Sequence, residues 1–136
     1  MIAIKIKEDV IPSIDQLSYL YENVDWMLYT RELDLFKKAL KNSLKVWTVW
    51  HNGKLVGLSR VVGDNHTIVY IEDILVSKDY QDRKIGIELL QIILDFFASV
   101  KEIIMITENA KKTNKYYEKK GLQITRNFKV ISCSKK

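Results

Sequence analysis

The sequence has one cysteine, Cys133, and one proline, Pro12. A lone thiol excludes an intrachain disulfide and fits a reducing compartment, so a cytoplasmic location is expected. One proline and five glycines leave no linker-like stretch to divide the 136 residues, and a single domain over 1–136 with one core is expected. No apolar run approaches the length of a membrane span. The first residues, MIAIKIKEDVIP, lack the long apolar core of a signal peptide. Neither membrane insertion nor export is therefore expected. The two histidines, His51 and His66, fall in turn-like stretches with no second ligand at metal spacing, so they read as surface residues and no metal site is expected. Cys133 has no base partner in sequence and is not read as a nucleophile. The net charge of +5 permits an anionic partner. The lysines are scattered, however, and no helix-turn-helix or aromatic–basic pattern points to nucleic acid.

What is present is hydrophobic periodicity that changes along the chain. Ile2, Ile4 and Ile6 alternate with Ala3, Lys5 and Lys7, the pattern of a half-buried edge strand, ended by Pro12. Ser13 followed by Gln16 is a capping-box pattern and starts a helix with Ile14, Leu17, Leu20 and Tyr21 on one face. The segment 23–31 clusters Trp26, Met27, Leu28 and Tyr29, which either plug the core or line a pocket. Leu33, Phe36, Leu40 and Leu44 predict an amphipathic helix over 33–44. Strands are predicted over 46–50, 55–62 and 67–76, joined by the turn signals His51-Asn52-Gly53-Lys54 and Gly63-Asp64-Asn65-His66 as an antiparallel meander. Ile85, Leu89, Ile92, Ile93 and Phe96 form the buried stripe of a helix over 85–100. The apolar run 103–107 reads as a central strand covered on both faces and parallel to 67–76. A lysine-rich helix over 110–120 ends at Gly121, and 122–132 forms a last strand or a hairpin.

The stretch 67–90 organises this plan. A strand runs through a polar, basic loop into a helix, and the start of a helix presents backbone N–H groups and a positive dipole end. That is a seat for a phosphate.

The loop Tyr80-Gln81-Asp82-Arg83-Lys84-Ile85-Gly86 resembles the Q/R-x-x-G-x-G/A pyrophosphate loop of the GCN5-related N-acetyltransferase (GNAT) superfamily. Tyr116-Tyr117-Glu118-Lys119-Lys120-Gly121-Leu122 is similar to its terminal F-Y-E-K-x-G-F segment. Lys54-Leu55-Val56-Gly57 and Ile74-Leu75-Val76 resemble its K-L-V-G and L-x-V strands. The ordered blocks cover nearly the whole chain and resemble a small single-domain branch. The resemblance implies an α/β fold of order βααβββαβαβ. Its mixed, mostly antiparallel sheet would carry helices on both faces and a splayed central parallel pair. One departure is visible: the family's first glycine is Lys84 here, and a lysine is expected to hold an ordinary helical φ while keeping its N–H.

The implied activity is transfer of an acetyl group from acetyl-CoA to a primary amine of a small molecule or peptide, by direct attack in a ternary complex. The alternative is a non-catalytic CoA-binding or regulatory domain of the same fold. By resemblance, Gln81, Asp82, Arg83, Lys84, Ile85, Gly86 and Ile87 would meet the CoA pyrophosphate. Backbone groups of Leu75 and Val76 would meet the pantetheine amides, and Asn109 would sit near the pantetheine or the reacting centre. Tyr117 would protonate the departing thiolate, a task suited to a neutral phenol whose pKa lies above that of the thiol. Tyr116 lies about 100° away round the helix, so only one of the two can do so. Asp73 is the candidate base or substrate anchor. Strand alternation is expected to put Glu72 on the opposite face, and a structural carboxylate remains an alternative for Asp73. Tyr21, Trp26 and Tyr29 are candidates for the acceptor wall. The outer edge of the first strand, or the C-terminal strand, could pair two subunits in a homodimer.

Overall fold

The computed structural model describes residues 3–24 and 31–105. They belong to one compact unit, Met1–Ile106. In chain order the elements are β1 (Lys5–Glu8), α1 (Ile14–Asn23), α2 (Leu33–Lys41), β2 (Lys45–His51), β3 (Lys54–Gly63), β4 (Ile68–Val76), a 3-10 helix (Lys78–Arg83), α3 (Ile85–Phe96) and β5 (Glu102–Met105). The strands form one sheet in the order β1-β2-β3-β4-β5. β1 to β4 are antiparallel neighbours, and β5 lies parallel to β4.

Local chemistry sets most of the boundaries. β1 is the edge strand expected, but Asp9 ends it, not Pro12. Asp9 takes φ 55°, and its N–H donates to Val46 O at 2.8 Å. Its carboxylate accepts from Val46 N–H at 3.1 Å and from Lys45 Nζ at 2.8 Å. α1 begins with a complete capping box: Gln16 N–H donates to Ser13 Oγ, and Ser13 N–H donates to Gln16 Oε1. The β2–β3 hairpin turns on Asn52 (φ 51°) and Gly53 (φ 77°), the signs a two-residue primed turn requires.

The next turn depends on Gly63. At φ 145°, a Cβ there would stand 2.4 Å from Ile68 O. Asp64 closes the loop by accepting from the N–H groups of His66, Thr67 and Ile68 and from the Thr67 hydroxyl.

Helices cover both faces of the sheet. On one face α1 and α2 bring Leu17, Leu20, Tyr21 and Leu40 onto Val46, Trp50, Leu55, Leu58 and Leu75. Each such side chain, fully buried, contributes roughly 1.5–3 kcal/mol. On the other face lies α3. Its buried stripe is Ile85, Leu89, Leu90 and Ile93, continued by Phe97 at the C-cap. Phe96, placed in that stripe by the sequence, is 50% exposed, while Phe97 is 1% exposed and packs edge-on against Trp47. Phe97 follows Ile93 by four residues, and its N–H still donates to Ile93 O at 3.0 Å, so it stays on the face of Ile85, Leu89 and Ile93. β5 closes the described part of the sheet. Its Ile103, Ile104 and Met105 are half-buried, short of the full cover expected on both faces.

Candidate functional site

β4 pairs with β3 from Val69 to Val76. With β5 it pairs only over Ile68–Ile71. Past Ile71 its other edge has no strand partner among the described residues. Ser77 N–H donates to Val56 O at 2.8 Å. Antiparallel ladders alternate, so the polar backbone groups of Leu75 point toward Leu58, and those of Ile74 and Val76 point to the open edge. Val76 O accepts from Gln81 Nε2 at 3.1 Å on that side. Of the two strand residues expected to offer backbone groups, Val76 is therefore placed to do so. Leu75 is not: its backbone serves β3 and its side chain is 5% exposed in the core. Ile74 instead turns its backbone groups to the open edge, a consequence of ladder phase that composition does not reveal.

The register also holds an irregularity at the two acidic positions. Arg60 pairs with Asp73 and Val61 with Ile71, which leaves Glu72 without a partner. This is a β-bulge, a device that re-aims side chains and increases local twist. Ile71, opposite Val61, and Ile74, opposite Ser59, both occupy α3-side positions. Positions 72 and 73 thus fall together between two residues of one face. The inserted residue shifts the phase of simple alternation by one between Ile71 and Ile74. Nearby, Tyr70 has its phenol pKa pushed up by burial and by the Glu72 charge.

From Val76 the chain enters the 3-10 helix where the sequence predicted only a loop. It is the first step of a tight path into α3, with Tyr80 N–H donating to Ser77 O at 2.8 Å. Asp82 and Arg83 lie in this helix. Lys84 then adopts φ 58° and ψ 23°, the left-handed region, where an ordinary helical φ was expected. A non-glycine residue there carries a cost of about 1–2 kcal/mol. The inversion lets a 3-10 turn end and an α-helix begin within one residue.

Glu88 N–H is bonded to Lys84 O at 3.1 Å, and the N-cap residue Lys84 makes no side-chain capping bond. The N–H groups of Ile85, Gly86 and Ile87 precede that first intrahelical donor. Gly86 has no crowding to explain it. A Cβ would meet Val76 Cγ2 at 3.8 Å and Ile74 Cγ2 at 3.9 Å, both ordinary contacts. Glycine costs a helix roughly 1 kcal/mol relative to alanine. Here it leaves the backbone bare, as close approach of a ligand to these donors requires. The same two contacts place the first turn of α3 over the open end of β4.

The residues of the Acetyltransferase (GNAT) family match positions 11–122. The chain belongs to this family. The GNAT fold is shared with a GNAT family acetyltransferase of Streptococcus pneumoniae TIGR4, 26% identical over 98% of this chain and 100% of that one, at a TM-score of 0.82. A protein of unknown function from meticillin-resistant Staphylococcus aureus is 25% identical over 98% and 100% of the two chains, at 0.79. An aminoglycoside acetyltransferase from an uncultured soil metagenomic sample shares the fold at 16% identity and a TM-score of 0.73, covering 97% and 99%. No curated protein sequence matches the chain.

Within this GNAT site several expectations take a definite form. Tyr21 is fully buried in the core, with its ring 5.9 Å from that of Phe36. This burial is that of a packing residue, whereas the sequence suggested the acceptor wall. His51, expected as a surface turn residue, is half-buried, and its Nδ1 is hydrogen-bonded to the Tyr80 hydroxyl. Trp26, Tyr29, Asn109, Tyr116, Tyr117 and Gly121 lie outside the described residues. Among those described, no group of three or more His, Cys, Asp and Glu residues could hold a metal, and no helix is long and apolar enough to cross a membrane.

Proposed function

We propose that this GNAT protein is an N-acetyltransferase, a single domain over 1–136. It would move an acetyl group from acetyl-CoA to a primary amine of a small molecule or peptide in a ternary complex. The observation that carries the reading is one juxtaposition. An edge of β4 with no strand partner among the described residues, toward which the backbone groups of Ile74 and Val76 point, runs under the glycine-bearing first turn of α3. The edge suits an extended chain bearing amides. The helix start suits a pyrophosphate. An acyl thioester carried on a phosphorylated pantetheine arm has both features.

The chain's own groups then divide the work. The N–H groups of Ile85, Gly86 and Ile87 bind the diphosphate, with Arg83 and Lys84 adding positive charge. Val76 N–H orients the pantetheine chain, and Asn109 supports it further along. The bulge puts positions 72 and 73, both acidic in sequence, on the part of β4 just past its pairing with β5. There one of them holds a cationic amine or removes its proton, directly or through water. Tyr117 supplies the proton that the departing thiolate takes up. Trp26 and Tyr29 remain the acceptor-wall candidates. The location is read as cytoplasmic.

Release of free thiol from acetyl-CoA, followed across a panel of primary amines, tests the reading. Because a protein of this fold is an aminoglycoside acetyltransferase, polycationic sugars belong in the panel beside polyamines and peptide N-termini. Amine-dependent thiol release together with calorimetric CoA binding is expected. Binding without transfer to any amine would move the assignment to the non-catalytic CoA-binding alternative. Absence of CoA binding would overturn both.

A further inference from the structure

Asn23 is the last residue of α1, and its side chain reaches a segment more than fifty positions away. Asn23 Oδ1 accepts from Lys78 N–H at 2.8 Å and from Ser77 Oγ at 3.0 Å. A backbone N–H can only donate, so the oxygen of the amide, not its nitrogen, must face Lys78. Ser77 is the N-cap of the 3-10 helix, yet its hydroxyl makes no capping bond of its own. It is 1% exposed and donates instead to Asn23. The first N–H of the 3-10 helix would otherwise be an orphan donor. Asn23 supplies the missing cap from another element.

The position of this contact gives it consequence. Ser77 is the point at which the chain leaves the sheet. On one side of it is Val76, facing the open β4 edge; on the other is the path through Lys84 to the first turn of α3. A second anchor holds the same short helix from the β2–β3 hairpin, where His51 meets Tyr80 with ring centroids 5.4 Å apart. The two anchors come from different elements and grip successive parts of one six-residue segment.

We infer that Asn23 is a positioning residue for the donor site. By capping the 3-10 helix in trans it fixes the exit of β4, and through it the distance between the strand edge and the α3 N–H groups. This inference rests on the acetyl-CoA reading above and concerns a residue which that reading does not use.

The test measures CoA binding by calorimetry, which needs no acceptor, on the full chain. Loss of a cap in mutant series weakens a helix end enough to shift an equilibrium by about five- to tenfold. Asn23→Ala is therefore expected to raise the Kd for CoA by about that factor, and the KM for acetyl-CoA with it, while kcat changes less. Asn23→Asp keeps an acceptor oxygen in place and is expected to bind within about twofold of the wild type. Asn23→Gln displaces the oxygen by one methylene and serves if the alanine variant does not fold; it is expected to behave as Asn23→Ala should. Hydrogen exchange at the Lys78 amide is expected to quicken in the Ala and Gln variants and not in the Asp variant. A wild type that binds CoA beside folded Ala and Gln variants that bind equally well would overturn the inference alone. A wild type that does not bind CoA overturns it together with the acetyl-CoA reading.

Discussion

Lys84 holds the left-handed backbone at the head of α3, and Gly86, two residues on, holds the bare Cα. An inverted turn and an unobstructed backbone, both suited to the proposed anion seat, thus come from separate positions.

If the left-handed lysine is strained, Lys84→Gly should stabilise the fold. The relief of about 1–2 kcal/mol is offset by roughly 0.5–1 kcal/mol of extra chain entropy, leaving a gain of about 0.5–1 kcal/mol. Lys84→Ala keeps the strain and should change stability by less than about 0.5 kcal/mol. Urea unfolding of the three proteins measures this. A glycine variant less stable than wild type would show that Lys84 is held by interactions worth more than its strain.

Gly63→Ala should be far more costly. The added methyl would stand 2.4 Å from Ile68 O and 2.8 Å from Val69 Cα, both backbone atoms, at φ 145°. Relief requires the β3–β4 turn to open, which also disturbs the Asp64 N–H to Ile68 O bond. A loss of about 2–4 kcal/mol is expected. A drop in midpoint corresponding to less than about 1 kcal/mol would mean that the turn has another low-energy form.

Asp64 sets an acid-side dependence. The Thr67 hydroxyl, followed by the N–H groups of His66, Ile68 and Thr67, holds its carboxyl well below the usual carboxylate range. A depressed native pKa contributes stability that is full above the unfolded value, about 3.9, and is lost as pH falls through the native one. Wild type should therefore lose stability below about pH 4 more steeply than Asp64→Asn, and the variant should be the weaker of the two near neutrality. Parallel stability curves from pH 6 down to the acid limb would remove this role.

The proposed acid, Tyr117, gives a kinetic prediction. Tyr117→Phe should depress kcat by about a hundredfold, within the range typical of a lost general acid, and leave the Kd for CoA nearly unchanged. Unaltered turnover would reassign the tyrosine to packing.

What could be read from the sequence was mostly local. Ser13 and Gln16 lie three residues apart, and their bonds close within one turn, so the pattern alone identifies the capping box. The Asn52–Gly53 turn is likewise decided by neighbours. The failures share a different cause. The bulge at Glu72 exists only relative to β3, whose register no stretch of β4 encodes. Whether Leu75 or Ile74 faces the open edge depends on that same pairing. Phe96 and Phe97 both fall within the arc of the apolar stripe of α3, and tertiary packing decides which is buried. Asn23 carried no motif, because its partners lie more than fifty positions downstream.

The crossover between β4 and β5 has a consequence for the order of assembly. β2, β3 and β4 follow one another through short hairpins, so their pairing closes small loops. β5 can join β4 only after the 3-10 helix and α3 have been laid across the sheet. Closing the longer loop carries the greater entropy cost. The meander can thus form while the donor seat is still unmade, and the seat should belong to a later, less protected unit in hydrogen exchange than the strands beneath it. A ligand that bridges the β4 edge and the α3 start would then slow local opening of that unit most.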